Sequence, residues 1–355
     1  MNSMNVVKDA KKSIFFMLLN ITAIMLMLSA CSSPNNEVDS STNEGTINLS
    51  YATFPPPGTF PNIQMNKWAE ELELRTDGQV EVDPFVGGSL LEASNMLDGV
   101  SAGVSDIGLT ATTYEPGRFP LLEIAEAPSG YQDAEISSQV VNDLIEEFSP
   151  DSLEDFKVVT SFATDPSYIQ SINPISSLED IEGEQLRISG GVSSVLEDLG
   201  ASPVGLPQDQ VPESMQTRVI DGNVSSREIL MDMNLANQAG YVTDYPLTIT
   251  IFVVVMNQQV WEELPDDTKE VIDELNKEMS LFTGQYLDGH IEEAMEWGEE
   301  SEGVEILSLD DGEEERWDNA IEGMQEDRVR RAEEQGLPGE EFQERLYELI
   351  EKYSE

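Results

Sequence analysis

The segment Ile249–Met256 (ITIFVVVM) is a nearly continuous run of apolar and β-branched side chains. A strand with one buried face alternates apolar and polar residues, so an unbroken run describes a strand covered on both faces. A chain containing one must place layers above and below a sheet, which points to an α/β architecture. The preceding residues supply the neighbours. Thr46–Ala52 alternates Ile47, Leu49 and Tyr51 as a strand, and Phe54-Pro55-Pro56-Pro57-Gly58 stops it because proline offers no ladder donor. Phe60 to Thr76 carries Met65, Trp68, Ala69 and Leu72 at helical spacing. Val80–Phe85, a helix from about Leu90 to Ala102, and Asp106–Thr110 continue a β-α-β-α-β rhythm. That rhythm predicts a parallel, doubly wound lobe.

Asp133 to Phe148 reads as an amphipathic helix and Phe156–Phe162 as a strand. A second lobe is expected from about Ile169. It holds a strand at Glu184–Ser189 and helices at Val192–Leu199 and Gln208–Arg218. Val104-Ser105-Asp106-Ile107-Gly108 and Arg218-Val219-Ile220-Asp221-Gly222 look alike, which hints at two similar lobes. From Trp261 onward the pattern is helical. One long helix includes Leu264, Val271, Ile272, Leu275, Met279 and Phe282. A second runs from Asp310 through Trp317, Ile321 and Met324, and a third contains Phe342, Leu346, Leu349 and Ile350. The domains this predicts are 46–165 plus about 250–280, about 166–249 plus about 281–310, and C-terminal helices over 311–355 packed on both.

The first thirty residues read as an export signal. Lys8, Lys11 and Lys12 precede an apolar run, Ile14 to Leu28. Fifteen helical residues reach roughly 22 Å, short of the roughly 30 Å hydrocarbon core of a bilayer. That suits a signal-peptide core better than a membrane span. The run ends in Leu28-Ser29-Ala30-Cys31, which resembles the bacterial lipobox, whose cysteine is lipidated and becomes the new N-terminus. The alternative is an ordinary signal peptide with a chance cysteine. Cys31 is the only cysteine of the chain, which favours the lipid anchor. Residues 31–45 are polar and acidic and read as a solvated leash.

Charge excludes several functions. The chain has 355 residues with 70 Asp and Glu against 18 Lys and Arg, a formal charge of −52. Without residues 1–30 the balance is 15 − 69 = −54. Binding nucleic acid through its phosphates needs clustered cations, which are missing here. One cysteine and one histidine exclude a disulfide framework, a thiolate zinc site and a histidine cluster. No phosphate-loop, G-x-S-x-G or G-x-G-x-x-G motif occurs, and no cofactor or metal is expected. His290 lies in an acid-rich helical stretch, where a surface or capping role is expected. Scarce lysine with abundant carboxylate fits a protein working in high salt.

Scarcity makes the arginines informative. Arg187 sits inside a strand just before Gly190-Gly191. A guanidinium there either grips a ligand carboxylate or sulfonate through paired hydrogen bonds or forms a structural ion pair. Arg227 and Arg118 are further candidates, and either could equally pair with a neighbouring glutamate. Gly87-Gly88 and Gly190-Gly191 follow strands, where backbone N–H groups either hold an anion or simply make a tight turn. Loops after strand C-termini line the crevice of open α/β lobes, which nominates Phe54, Tyr114 and Tyr245 as pocket walls. The same residues could equally serve inter-helix packing.

Three stretches together resemble one family. They are Leu97–Gly108 (LDGVSAGVSDIG), Leu178–Gly222 with its LEDIEGEQLRISGG, LEDLGASPVGLP and ESMQTRVIDG pieces, and Val254–Asn257 followed by Trp261–Leu264 and Pro265-Asp266-Asp267. The chain is similar, from about Ile47 to Lys352, to the substrate-binding proteins of tripartite ATP-independent periplasmic (TRAP) transporters, of the dicarboxylate-binding (DctP) type. The resemblance implies a two-lobed, periplasmic-binding-protein-like α/β fold with a ligand cleft between the lobes and a long helix joining them. Arg187 then stands where the family's arginine pairs with the ligand carboxylate. Relatives continue the D-G close as Q-E-N-P, and here Ser225 stands where that asparagine contacts ligand. Many relatives also carry a second arginine, in the region where Ser167 lies here, so the resemblance implies a ligand with two anionic ends, such as a C4-dicarboxylate or sialic acid, less firmly.

The reading is an extracytoplasmic solute receptor, anchored to the membrane through Cys31, that binds a small organic acid and delivers it to TRAP-type permease subunits. Its binding set is Arg187, Ser225, Phe54, Tyr114, Tyr245 and Arg227. The rivals are a lipid-anchored extracellular hydrolase with a two-lobed cleft, which lacks a nucleophile motif, and an adhesive lipoprotein.

Overall fold

The computed structural model describes residues 46–355. The signal peptide, Cys31 and the leash lie outside the described residues. The strands in chain order are β1 (Ile47–Ala52), β2 (Val80–Phe85), β3 (Ile107–Ala111), β4 (Phe156–Ala163), β5 (Tyr168–Ser171), β6 (Gln185–Ile188), β7 (Ser202–Gly205), β8 (Gly222–Ser225), β9 (Tyr241–Thr243), β10 (Ile251–Asn257) and β11 (Glu305–Leu307). They form two sheets, ordered β2-β1-β3-β10-β4 and β11-β9-β5-β8-β6-β7.

The apolar run becomes β10, between β3 and β4. Ile251, Val253 and Val255 pack into one core, and Phe252, Val254 and Met256 into the core on the opposite face. The fold class is the expected two-lobed α/β, but the lobe is not all parallel. β10 runs antiparallel to both neighbours, while β1, β2 and β3 are parallel. A run buried on both faces shows only that both faces are covered, whichever way its neighbours point.

The two sheets repeat one plan. Reading β7-β6-β8-β5-β9 against β2-β1-β3-β10-β4, each position has the same partners with the same sense. The short look-alike segments enter the equivalent strands β3 and β8. Their aspartates do the same work. The Asp106 carboxylate accepts from the Ser50 N–H at 2.8 Å, and the Asp221 carboxylate from the Gln185 N–H at 3.0 Å. Each aspartate ties the entry of its strand to the parallel strand beside it.

The helices that matter here are α1 (Phe60–Arg75), α2 (Ala134–Phe148), α3 (Asp266–Trp297), α4 (Asp311–Ile321), α5 (Met324–Glu334) and α6 (Gly339–Ser354). Three expectations are corrected. The helix expected over Leu90–Ala102 is only Met96–Ser101, preceded by one tight turn at Ala93–Asn95. The segment from Asp310 through Met324 is two helices, because the chain reverses at Gly323, with φ of +88°. The long helix begins at Asp266 and is unbroken over 32 residues, so a lobe boundary near 280 falls inside it. α4 covers the second lobe through Trp317, and α5 and α6 cover the first through Ala332, Phe342, Leu346 and Leu349.

α3 lies tight against the start of α2. A Cβ on Gly284 would stand 2.5 Å from the Glu135 Cα, so no larger residue fits without moving backbone. One turn on, the Asp288 carboxylate accepts from the N–H groups of Ala134 and Glu135 at 2.8 and 3.0 Å. It satisfies donors at the α2 N-terminus, which helical bonding leaves free. The lobes are also joined by two extended segments that pair with each other. Thr164 N–H donates to Thr250 O at 3.0 Å, and Leu247 N–H to Ser167 O at 2.9 Å.

Candidate functional site

A cavity of about 430 Å³ opens between the lobes, at the C-terminal ends of β1, β3, β6 and β8. Phe54, Phe60, Tyr114 and Phe252 line it from the first lobe. Phe54 meets Tyr114 edge-on at 5.4 Å and stacks on Phe252 at 6.3 Å, so the wall is a continuous aromatic surface. Arg187, Ser189, Gln208, Ser225, Glu228, Ile229 and Asp232 line it from the second lobe.

Arg187 is the only cation among the lining residues, and it is 99% buried, with 1% exposure. Its register in β6 places it beside Asn223 of β8. All five N–H groups are engaged. Nε donates to Leu206 O at 2.9 Å, Nη1 to Gln208 Oε1 and to Asn223 Oδ1 at 3.3 Å, and Nη2 to the hydroxyls of Tyr114 and Ser189, both at 3.3 Å. Every partner is neutral. No carboxylate lies within ion-pair distance among the described residues, and burial pulls the guanidinium below its ordinary pKa. Buried charges are normally paired, and this one lacks the counter-ion that burial ordinarily demands. The contrast with Arg328 makes the point. Equally buried, it pairs with Glu123 at 3.4 Å.

The remaining candidates divide. Phe54, Tyr114 and Ser225 line the cavity with Arg187. Tyr114 also bridges the lobes, because its hydroxyl accepts from the Gln208 N–H at 3.2 Å as well as from Arg187. Beside it Gly191 faces Thr113, where an added Cβ would meet the Thr113 Cα at 3.2 Å. Gly191, and not Gly190, therefore permits a close lobe-to-lobe contact. Two placements are corrected. Arg227 does not line the cavity. Its Nε and Nη2 hold the Asp165 carboxylate at 3.2 and 3.1 Å, and its guanidinium lies 4.1 Å over the Tyr168 ring. Tyr245 packs in the second lobe's core against Trp317 at 5.1 Å and donates to Asp318 at 2.7 Å. Arg118 sits between Asp98 and Glu115 near the surface. His290 is not a surface residue. It hydrogen-bonds the Asp232 carboxylate at 2.7 Å and so supports the cavity wall.

Reading the sequence missed Asn223, Gln208, Glu228, Asp232 and Phe252. Asn223 was within reach, since parallel pairing of β6 with β8 sets it beside Arg187. The carboxyls were hidden among 70.

Ser226 exposes a proton. Its hydroxyl touches both Asp165 Oδ1 and Glu228 Oε2, yet it has one hydrogen to give. One carboxyl must therefore be protonated. Arg227 keeps Asp165 as its ion partner, so the proton belongs to Glu228, which donates to Ser226. Burial first, then the neighbouring Asp165, pushes the Glu228 pKa up to about 8, and burial raises Asp165 to about 6.

Residues 51–330 match the bacterial extracellular solute-binding protein family 7, DctP. The chain belongs to that family. It is 37% identical to a TRAP periplasmic solute-binding protein of Desulfovibrio salexigens, solved as an open complex, with a TM-score of 0.80 over 87% of this chain and 97% of that one. A marine metagenome TRAP solute-binding protein, described as specific for aromatic acid ligands and solved with metahydroxyphenylacetate, is 30% identical. Its TM-score is 0.82 over 87% and 100% of the two chains. A solute-binding protein of Roseobacter denitrificans is 26% identical over 58% of this chain, and the match spans 65% of that protein's length. These relatives are binding components of transporters, not enzymes, so the hydrolase alternative has no support.

Proposed function

We propose that this protein captures an aromatic monocarboxylate outside the cytoplasm and passes it to a TRAP-type permease. The observation that carries the reading is Arg187, a buried guanidinium without a carboxylate partner, facing a cavity walled by Phe54, Phe60, Tyr114 and Phe252. One cation suits one carboxylate. Acids lining the same cavity, among them Glu92 and Asp209, leave a second anionic end without a partner. The marine relative's aromatic acid supports the class. Ser225 and Tyr114 both line the cavity, where either can contact the ligand. The protein stays at the membrane through lipid on Cys31, which the sequence alone supports. Among the described residues no helix is long and apolar enough to cross a membrane.

The test is a melting-temperature screen. A ligand at 100 times its Kd stabilises the fold by about 2.7 kcal/mol, worth roughly 4 °C in a domain of this size. Benzoate-type monocarboxylates are expected to give such shifts, and succinate and malate smaller ones. The reverse order would overturn the aromatic reading.

The charge balance supports work in high salt. At 0.1 M salt, charges repel over about 10 Å, and at 1 M over about 3 Å. The unliganded protein is therefore expected to melt higher in 2 M than in 0.1 M potassium chloride. A flat or falling series would remove the salt adaptation.

A further inference from the structure

The second-lobe wall beyond Arg187 presents carboxyl groups. Glu228 and Asp232 both line the cavity, Glu228 with 3% exposure and the Asp232 side chain with 10%. Asp232 gives Oδ1 to His290, while its Oδ2 is buried and accepts no hydrogen bond. Glu228 is engaged with Ser226 through Oε2. One buried carboxyl oxygen on this wall, Asp232 Oδ2, therefore stands as an acceptor without a donor, with the Glu228 carboxyl on the same wall. An unsatisfied buried acceptor is costly, and a ligand group that fills it recovers that cost.

Resting on the aromatic monocarboxylate reading above, we propose that the ligand carries a hydrogen-bond donor, a hydroxyl or an ammonium, at its end remote from the carboxylate. Asp232, with Glu228 on the same wall, takes that donor. They also reject a second carboxylate, which offers only acceptors to a wall of acceptors. Specificity of this kind comes from the partner left unpaired when the wrong ligand binds. Arg187 fixes one end of the ligand and the two acids read the other.

Isothermal calorimetry on the full protein tests this with benzoate, the 3- and 4-hydroxybenzoates, the 3- and 4-(aminomethyl)benzoates, isophthalate and terephthalate. At least one donor-bearing acid is expected to bind tenfold or more tighter than benzoate, and both dicarboxylates more weakly than benzoate. The hydroxyl and aminomethyl arms show which donor is used. Asp232→Asn is expected to shrink the donor preference and improve the dicarboxylates, and Glu228→Gln provides a second, independent variant. A purely structural role would weaken all ligands equally. Benzoate binding with no gain from any donor, or a dicarboxylate binding tighter, overturns the proposal while leaving the monocarboxylate reading intact. Failure of every acid in the series to bind overturns that reading and this proposal with it.

Discussion

Arg187→Ala is expected to abolish the ligand-induced rise in melting temperature. Removing one partner of a buried, hydrogen-bonded charge pair costs about 2–5 kcal/mol, which is about thirty- to several-thousand-fold in Kd. The unliganded protein should keep its fold. Alanine deletes a charge that has no counter-ion in the empty cleft, and this offsets the bonds lost from Asn223, Gln208 and Leu206. Arg187→Lys separates charge from geometry. An ammonium keeps the charge but cannot present a planar fork, so binding should recover only in part. Calorimetry on both variants decides the matter. A ligand shift that survives in Arg187→Ala would remove this residue from the site.

The second large effect is the fall of stability with rising pH. Glu126 ends the short helix Leu122–Glu126, where its carbonyl accepts from the Ile249 N–H beside the strands linking the lobes. It is fully buried, bonded to the Thr112 hydroxyl, and its Oε2 has no partner. Burial pushes its pKa from 4.5 up to about 8, and Arg328 offsets this only in part. The sign follows from proton counts. Below about pH 4.5 the folded and unfolded chains both hold the proton. Between about 4.5 and 8 only the folded chain holds it, so stability falls by about 1.4 kcal/mol per pH unit per such group. Above 8 the slope ends. Glu228 acts over the same window and Asp165 up to about 6. Ion-paired carboxyls such as Glu71, Glu147 and Glu278 are held below their ordinary values, so they lose stability only at more acid pH. The melting temperature in high salt is therefore expected to be highest near pH 5 and to decline to pH 8. Glu126→Gln should reduce the slope by about one proton. An unchanged slope in denaturant titrations would show that Glu126 ionises in the folded state.

How far the sequence could be read depended on what each signal encodes. Periodicity records which faces are buried, so β10, α1, α2 and the C-terminal helices were legible. It does not record strand direction, which hid the antiparallel placement of β10. The resemblance drew attention to Arg187, because its motif is local. Arg227 and Tyr245 were misplaced because their partners, Asp165 and Trp317, lie 62 and 72 residues away in the chain. A side chain near the end of a strand can turn to either side of its layer, and only the fold decides. Glu228 and Asp232 had no distinguishing pattern. Their meaning comes from partners, the donor missing at Asp232 and the Ser226 hydroxyl at Glu228, which only the assembled wall reveals.

The attachment of α3 sets how the cleft can move. Asp288 bolts the helix to the first lobe, and His290, two residues on, touches the second at Asp232. A rotation between the lobes would be absorbed where they are joined, in the paired segments 164–167 and 247–250 and in this stretch of α3. Tyr114 joins the two lobes across the cleft, so opening would break its bonds to Arg187 and Gln208. Opening the cleft and freeing an Arg187 Nη2 hydrogen for an anion would then be a single event.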